Sequence, residues 1–196
     1  KQFSCGGALV DIGVHMLDAM LWLMGNPQVA SVTANCTRNH AFETGDLISS
    51  GARTGSVANS RKFDPNEMDV EDFAAGAIRF ENACIANFNT AWAANMPETS
   101  SISLVGKKTG VFLPACDIYY GTDGHEKLQT EPDKYGGEAF PGHFHIIDNL
   151  ADAICGKATI AIKPEETIQV SAVMEMFYRS AAENREITYR ELTGNA

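Results

Sequence analysis

The chain has 196 residues, 44% of them apolar and only 20% charged, which is a globular and not a disordered composition. Its 25 acidic and 15 basic residues give a net charge of -10, and that argues against a nucleic-acid partner, because phosphate binding needs clustered Lys and Arg. No uninterrupted apolar run is long enough to span a membrane: the nearest, Ala8–Met24, is broken by Asp11, His15 and Asp18.

Taken in chain order, Gly6-Gly7 opens a helix expected over Ala8–Met24, and Gly25-Asn26-Pro27 stops it. Val29–Thr37 alternates as a half-buried strand, with Ala30, Val32, Ala34 and Cys36 pointing inward. Arg38–Asp69 reads as a long polar excursion with a short strand near Ser56–Ser60, and the acidic stretch Asp64–Asp72 as a solvated loop. Strands are expected at Phe73–Phe80 and Cys84–Trp92 around the turn Glu81-Asn82-Ala83, then at Ser101–Val105 and Gly110–Leu113. Ile118–Tyr120 and Lys127–Gln129 form a weaker pair, and Glu131–Gly142 reads as loop.

Two helices close the chain. One runs from His143 to Cys155 with Phe144, Ile147, Ala151 and Ile154 on its apolar face. The other starts at Pro164, with Glu165 and Glu166 in its first turn and an apolar stripe of Val170, Met174, Phe177, Tyr178 and Ala181. Glu186–Tyr189 returns as an edge strand. One helix, a run of strands on short turns and two helices make an α+β domain: a largely antiparallel open sheet with helices packed on one face.

The five cysteines, Cys5, Cys36, Cys84, Cys116 and Cys155, are scattered, with no CxxC spacing. They read as reduced, buried thiols of a cytoplasmic protein. There is no G-x-G-x-x-G, no Walker A sequence, no H-E-x-x-H and no G-x-S-x-G. His143-Phe144-His145 opens a helix, where positions i and i+2 face apart, so it is not expected to hold a metal.

The chemistry-bearing pattern lies on the first helix. Between Gln2 and Asn35 the only charged side chains are Asp11 and Asp18, and His15 stands between them. At ~100° per residue, Asp11, His15 and Asp18 share one stripe of an otherwise apolar helix. Such a stripe is either the helix's solvated side or the wall of a cleft, and spacing alone does not choose. In a cleft, a carboxylate one turn from an imidazole can fix its tautomer, and the imidazole can exchange a proton with a substrate hydroxyl. Gly13 suggests close approach to a neighbouring element.

The run Gly6-Gly7-Ala8-Leu9-Val10-Asp11-Ile12-Gly13-Val14-His15-Met16-Leu17-Asp18, with Trp22-Leu23-Met24-Gly25 after it, resembles the signature that opens the C-terminal domain of the Gfo/Idh/MocA oxidoreductases. Asp72–Trp92, including Gly76-Ala77-Ile78-Arg79-Phe80-Glu81-Asn82, resembles that family's central hairpin. Gly106–Gly110 resembles its glycine-bounded turn, and His145–Cys155 and Pro164–Glu183 its closing helices.

The resemblance implies an NAD- or NADP-dependent enzyme acting on a sugar, polyol or related compound. His15 is then the catalytic acid/base, Asp11 its acidic partner and Asp18 a supporting acid. Ile12, Trp92 and His143 are candidate substrate contacts, as are Tyr119 and Tyr120. Residues 1–196 form one substrate-binding and oligomerisation domain, expected to pair into dimers or tetramers through the sheet face. The N-terminal Rossmann domain that would hold most of the cofactor is absent from this chain, with its Glu-Lys-Pro lysine, so the chain alone is expected to be inactive. The alternatives are an NAD-dependent glycosidase of the same family and a non-catalytic oligomerisation domain, which would bury Asp11 and His15 as a pair in the core.

Overall fold

The computed structural model describes residues 5–38, 68–92, 99–113, 115–120, 126–129 and 141–194. The strand expected near Ser56–Ser60 and most of the Glu131–Gly142 loop lie outside them. The chain divides into two compact units, one of residues 1–97 and 164–196, the other of residues 98–163.

In the first unit a π-helical turn over Leu9–Gly13 leads into α1, Val14–Leu23. Gly25 ends the helix at φ +79°, with the amides of Gly25 and Asn26 bonded back to the carbonyls of Trp22 and Leu21. The sheet is built from β1 (Val29–Thr37), β2 (Phe73–Phe80), β3 (Ile85–Ala91) and a two-residue edge strand at Ile187–Thr188. Its order is β3-β2-β1-edge strand, every pairing antiparallel.

The register between β1 and β2 slips at Ala30, where Val29 faces Phe80 and Ser31 faces Arg79. That bulge makes Val29 the fully buried residue instead of the expected Ala30, because one extra residue reverses the alternation. The second unit holds another antiparallel sheet, of β4 (Ile102–Val105), β5 (Thr109–Leu113), β6 (Asp117–Tyr120) and β7 (Glu126–Gln129) in that order. It also holds α2, Pro141–Ile154. The strands expected within the described residues are all present, distributed over two four-stranded sheets.

The long helix α3, Pro164–Glu183, lies against β1 and α1 in the first unit. Val170, Val173, Met176 and Phe177 are buried with Leu9, Leu17, Leu21, Val32, Ile78 and Ile187, and Phe88 meets Phe177 edge-on with ring centroids 5.8 Å apart. Two buried polar side chains stitch α3 to β1. Gln169 accepts from the Val29 amide and donates to the Pro27 carbonyl. Beyond the short edge strand, the Ala34 amide finds its acceptor in the Ser180 hydroxyl, at 2.9 Å.

Four further expectations are corrected. Glu71 and Asp72, read as part of a solvated acidic loop, are 8% and 0% exposed. Phe144, Ile147 and Ile154 of α2 are exposed instead of packed. Cys5, Cys84 and Cys155 are exposed and the other two cysteines half-buried, and no disulfide joins any of the five. After the edge strand, Tyr189–Thr193 is a short helix, α4, capped by Thr188 and Glu191, where a strand was expected to continue through Tyr189. The T-x-x-E spacing of Thr188 and Glu191 is the local signal for that helix start. Among the described residues, no helix is long and apolar enough to cross a membrane.

Candidate active site

A buried carboxylate fixes the start of the first helix. Glu71 accepts the amides of Gly7 at 3.1 Å and Leu9 at 3.0 Å, and its own carbonyl takes the amide of Ala8 at 3.1 Å. These are the amides a helix start leaves without intrahelical acceptors, and negative charge is favoured there by the helix dipole. Gly7 is required by the contact, since a Cβ on it would stand 1.8 Å from the Glu71 carbonyl oxygen. From α3, Tyr178 donates its hydroxyl to Oε1 of Glu71 at 2.8 Å. Burial and the same carboxylate push the Tyr178 phenol above its usual range. Burial, with the Glu71 charge added, pushes the Cys36 thiol of β1 up to about 12.

The π-helical turn carries Asp11 and Ile12 outward while Leu9 and Gly13 face the core. At Gly13 a Cβ would lie 3.0 Å from Cγ2 of Thr90, so the helix runs close over β3 as its glycine suggests. His15 and Asp18 follow on α1, both exposed. With Ile12, 41% exposed, and Trp22, 68% exposed, they make one open stripe.

Trp92, at the end of β3, reaches back to that stripe. Its Nε1 donates to Oδ2 of Asp11 at 2.8 Å, and its backbone amide donates to the Asp72 carbonyl at 2.9 Å. Among the described residues, no hydrogen bond or ion pair joins the His15 imidazole to Asp11 or Asp18. An open imidazole near an oriented carboxylate can accept and return a proton, and no described residue of the first unit covers it.

The structure thus brings Asp11 and Trp92 into contact, sets Ile12, His15 and Asp18 beside them on the exposed stripe, and places His143 in the second unit, exposed on α2. Tyr119 and Tyr120 help line a shallow concavity of about 420 Å³ on the second sheet, with Leu104, Val105, Lys107 and Phe112. Among the described residues, no group of three or more His, Cys, Asp or Glu side chains could hold a metal ion. Sequence reasoning missed Glu71 and Tyr178. The available signal was negative: a helix opening on Gly6-Gly7-Ala8 has no Ser, Thr, Asp or Asn to cap it, so its amides need an acceptor from elsewhere.

An antiparallel sheet backed by helices, opened by a glycine-started helix with an acid–imidazole stripe, is the architecture of an oxidoreductase C-terminal domain. The family model described as "Oxidoreductase family, C-terminal alpha/beta domain" matches residues 1–189, and the chain belongs to that family, Gfo/Idh/MocA. It is 30% identical over 183 residues to the D-glucoside 3-dehydrogenase of Escherichia coli strain K12, a match covering 92% of this chain and 48% of that protein. The aldose-aldose oxidoreductase of Caulobacter crescentus, solved with glycerol, shares the fold at a TM-score of 0.66 and 22% identity, over 93% of this chain and 48% of that one. The WlbA dehydrogenase of Bordetella pertussis, solved with NADH and UDP-GlcNAcA, does so at 0.58 and 21%, over 93% and 45%. The chain therefore spans about half the length of the relatives it matches.

Proposed function

We propose that the chain is the substrate-side domain of an enzyme that moves hydride between NAD or NADP and a hydroxyl or keto carbon of a sugar, polyol or related compound. The observation that carries this reading is the open stripe, with the His15 imidazole uncovered and the Asp11 carboxylate held by Trp92. The substrate class is supported by the relatives, one named for a glucoside, one for aldoses, and one solved with NADH and a UDP-sugar.

The chain's residues fit the reacting end of the cofactor and not its phosphates. The glycine-started helix would be the natural anion site, but Glu71 already occupies the amides of Gly7 and Leu9. A separate domain would hold the dinucleotide. When bound, the nicotinamide accepts or supplies the hydride. His15 takes the proton from the substrate hydroxyl during oxidation and returns it to the carbonyl oxygen during reduction. Asp11 stabilises the imidazolium formed, and Asp18 adds negative potential on the same stripe. Ile12, next to Asp11 on the exposed stripe, contacts the substrate.

Subunits pair into a dimer or tetramer through the outer sheet face, where the cross-strand rows Thr33-Ala77-Asn87 and Asn35-Ala75-Asn89 offer short Ala, Thr and Asn side chains. The protein works in the cytoplasm. An assembly-only role predicts Asp11 and His15 paired inside the core, and their exposure counts against it.

The test is His15→Ala in the whole enzyme, assayed by NADH absorbance against a panel of glycosides, aldoses and polyols. The variant should lose ~10²–10⁴ in kcat. A loss below threefold removes His15 from the mechanism, and steady NADH turnover by this chain alone contradicts the division of labour.

A further inference from the structure

Trp92 is tied at two points to the framework that also holds the start of the first helix. Its amide bonds to the Asp72 carbonyl, while the neighbouring Glu71 takes the amides of Gly7, Ala8 and Leu9 through its carboxylate and its carbonyl. Asp11 sits two residues beyond Leu9, and Trp92 closes the ring by donating Nε1–H to its Oδ2 at 2.8 Å. Gly13, pressed against Thr90 of β3, fixes the spacing between the helix and this strand. Both ends of the Trp92–Asp11 hydrogen bond are therefore set by the same two residues, Glu71 and Asp72.

A carboxylate on an exposed helix position ordinarily rotates among its rotamers, and its two oxygens are interchangeable. Here Oδ2 is committed to an indole N–H, and Oδ1 accepts no hydrogen bond from a described residue. An N–H donated to a carboxylate is among the stronger protein hydrogen bonds.

We propose that Trp92 is a positioning residue for the reaction, its indole N–H holding Asp11 in one orientation so that Oδ1 is presented on the same open face as His15. This rests on the function proposed above for Asp11 and His15. Trp92 then acts through Asp11 and not by stacking on a substrate of its own. Misorienting a catalytic carboxylate by about an ångström is enough to lower a rate by ten- to a hundredfold.

The test is a double-mutant cycle in the whole enzyme with Trp92→Phe, which keeps the ring and removes the donor, and Asp11→Ala. Trp92→Phe should lower kcat about tenfold with KM within twofold, and should add less than a twofold loss in the Asp11→Ala background. Equal losses in both backgrounds, a loss confined to KM, or no loss at all overturns the proposal.

A second readout follows the contact itself. In a Trp22→Phe background the remaining indole N–H proton resonance of this domain belongs to Trp92, and Asp11→Ala should move it upfield. A resonance that stays in place shows the bond is not made and overturns the proposal whatever the kinetics. Failure of the underlying reading looks different: His15→Ala and Asp11→Ala then turn over normally. That result ends the catalytic role of Trp92 as well, while the resonance still moves.

Discussion

The hydroxyl of Tyr178 donates to Oε1 of Glu71 at 2.8 Å, joining two residues 107 positions apart and tying α3 to the segment that holds the first helix. The bond is one member of a set in which Glu71 also accepts the amides of Gly7 and Leu9. Removing either partner leaves a buried donor or acceptor short of a bond, which costs more than the net worth of the bonds themselves. Tyr178→Phe should therefore destabilise by about 1–2 kcal/mol, a fall in Tm of roughly 3–6 °C for a chain of this size. Glu71→Ala removes the carboxylate that both amides and the phenol donate to, and should cost about 3 kcal/mol or more. Thermal melts showing Glu71→Ala within about 0.5 kcal/mol of wild type would remove the carboxylate from its structural role.

Two glycines separate steric from conformational demand. Gly7→Ala places a methyl 1.8 Å from a carbonyl oxygen and should abolish folding, read as loss of soluble protein or of a cooperative melt. Gly25 has φ +79°, but no described atom lies within 4 Å of where a methyl would stand, so Gly25→Ala should fold and lose only about 1–2 kcal/mol from the left-handed conformation. Similar losses at both sites would contradict the assigned causes.

Thiol reactivity should follow burial and charge. Cys36, pushed up from 9.0 to about 12, carries roughly a thousandfold less thiolate at pH 8 than an ordinary thiol. Native alkylation followed by mass spectrometry should find Cys5, Cys84 and Cys155 modified first, and Cys36 only on unfolding. The same displacement has a stability consequence. The folded value lies above the unfolded one, so this contribution is complete below pH 9 and is lost as pH rises towards 12. Cys36→Ser should therefore lose stability less steeply than wild type across that window.

At the other end of the pH scale, hydrogen bonds from the backbone and hydroxyl of Thr188, and then from Arg185, hold the Glu191 carboxyl down at about 2. A folded value below the unfolded 4.5 means a contribution complete above pH 4.5 and lost as pH falls to 2. Glu191→Gln should melt below wild type at pH 7 and together with it near pH 2. A gap that persists in acid would assign the cap's value to shape and not to charge.

The helix over Ala8–Met24, its stop at Gly25, the strands at Val29–Thr37 and Phe73–Phe80 and the long helix from Pro164 are legible because each is encoded in its own stretch. Apolar period, a stop glycine and a first-turn proline act over a few residues. What misled was equally local in form. The bulge at Ala30 moved burial to Val29, and the acidic run ending in Glu71-Asp72 has the composition of a solvated loop while its last two residues are buried.

The sequence alone determined which residues share the first helix's reactive stripe, since Asp11, His15 and Asp18 are bound to one face by helical geometry. Only the tertiary structure decided that this face is open, that Trp92, 81 residues away, takes the Asp11 carboxylate, and that Glu71 caps the helix from 64 residues beyond Gly7. The physical reason is that periodicity specifies a face, whereas hydrogen-bond partners far apart in the chain are chosen by which strands pair and how closely glycines let a helix approach them.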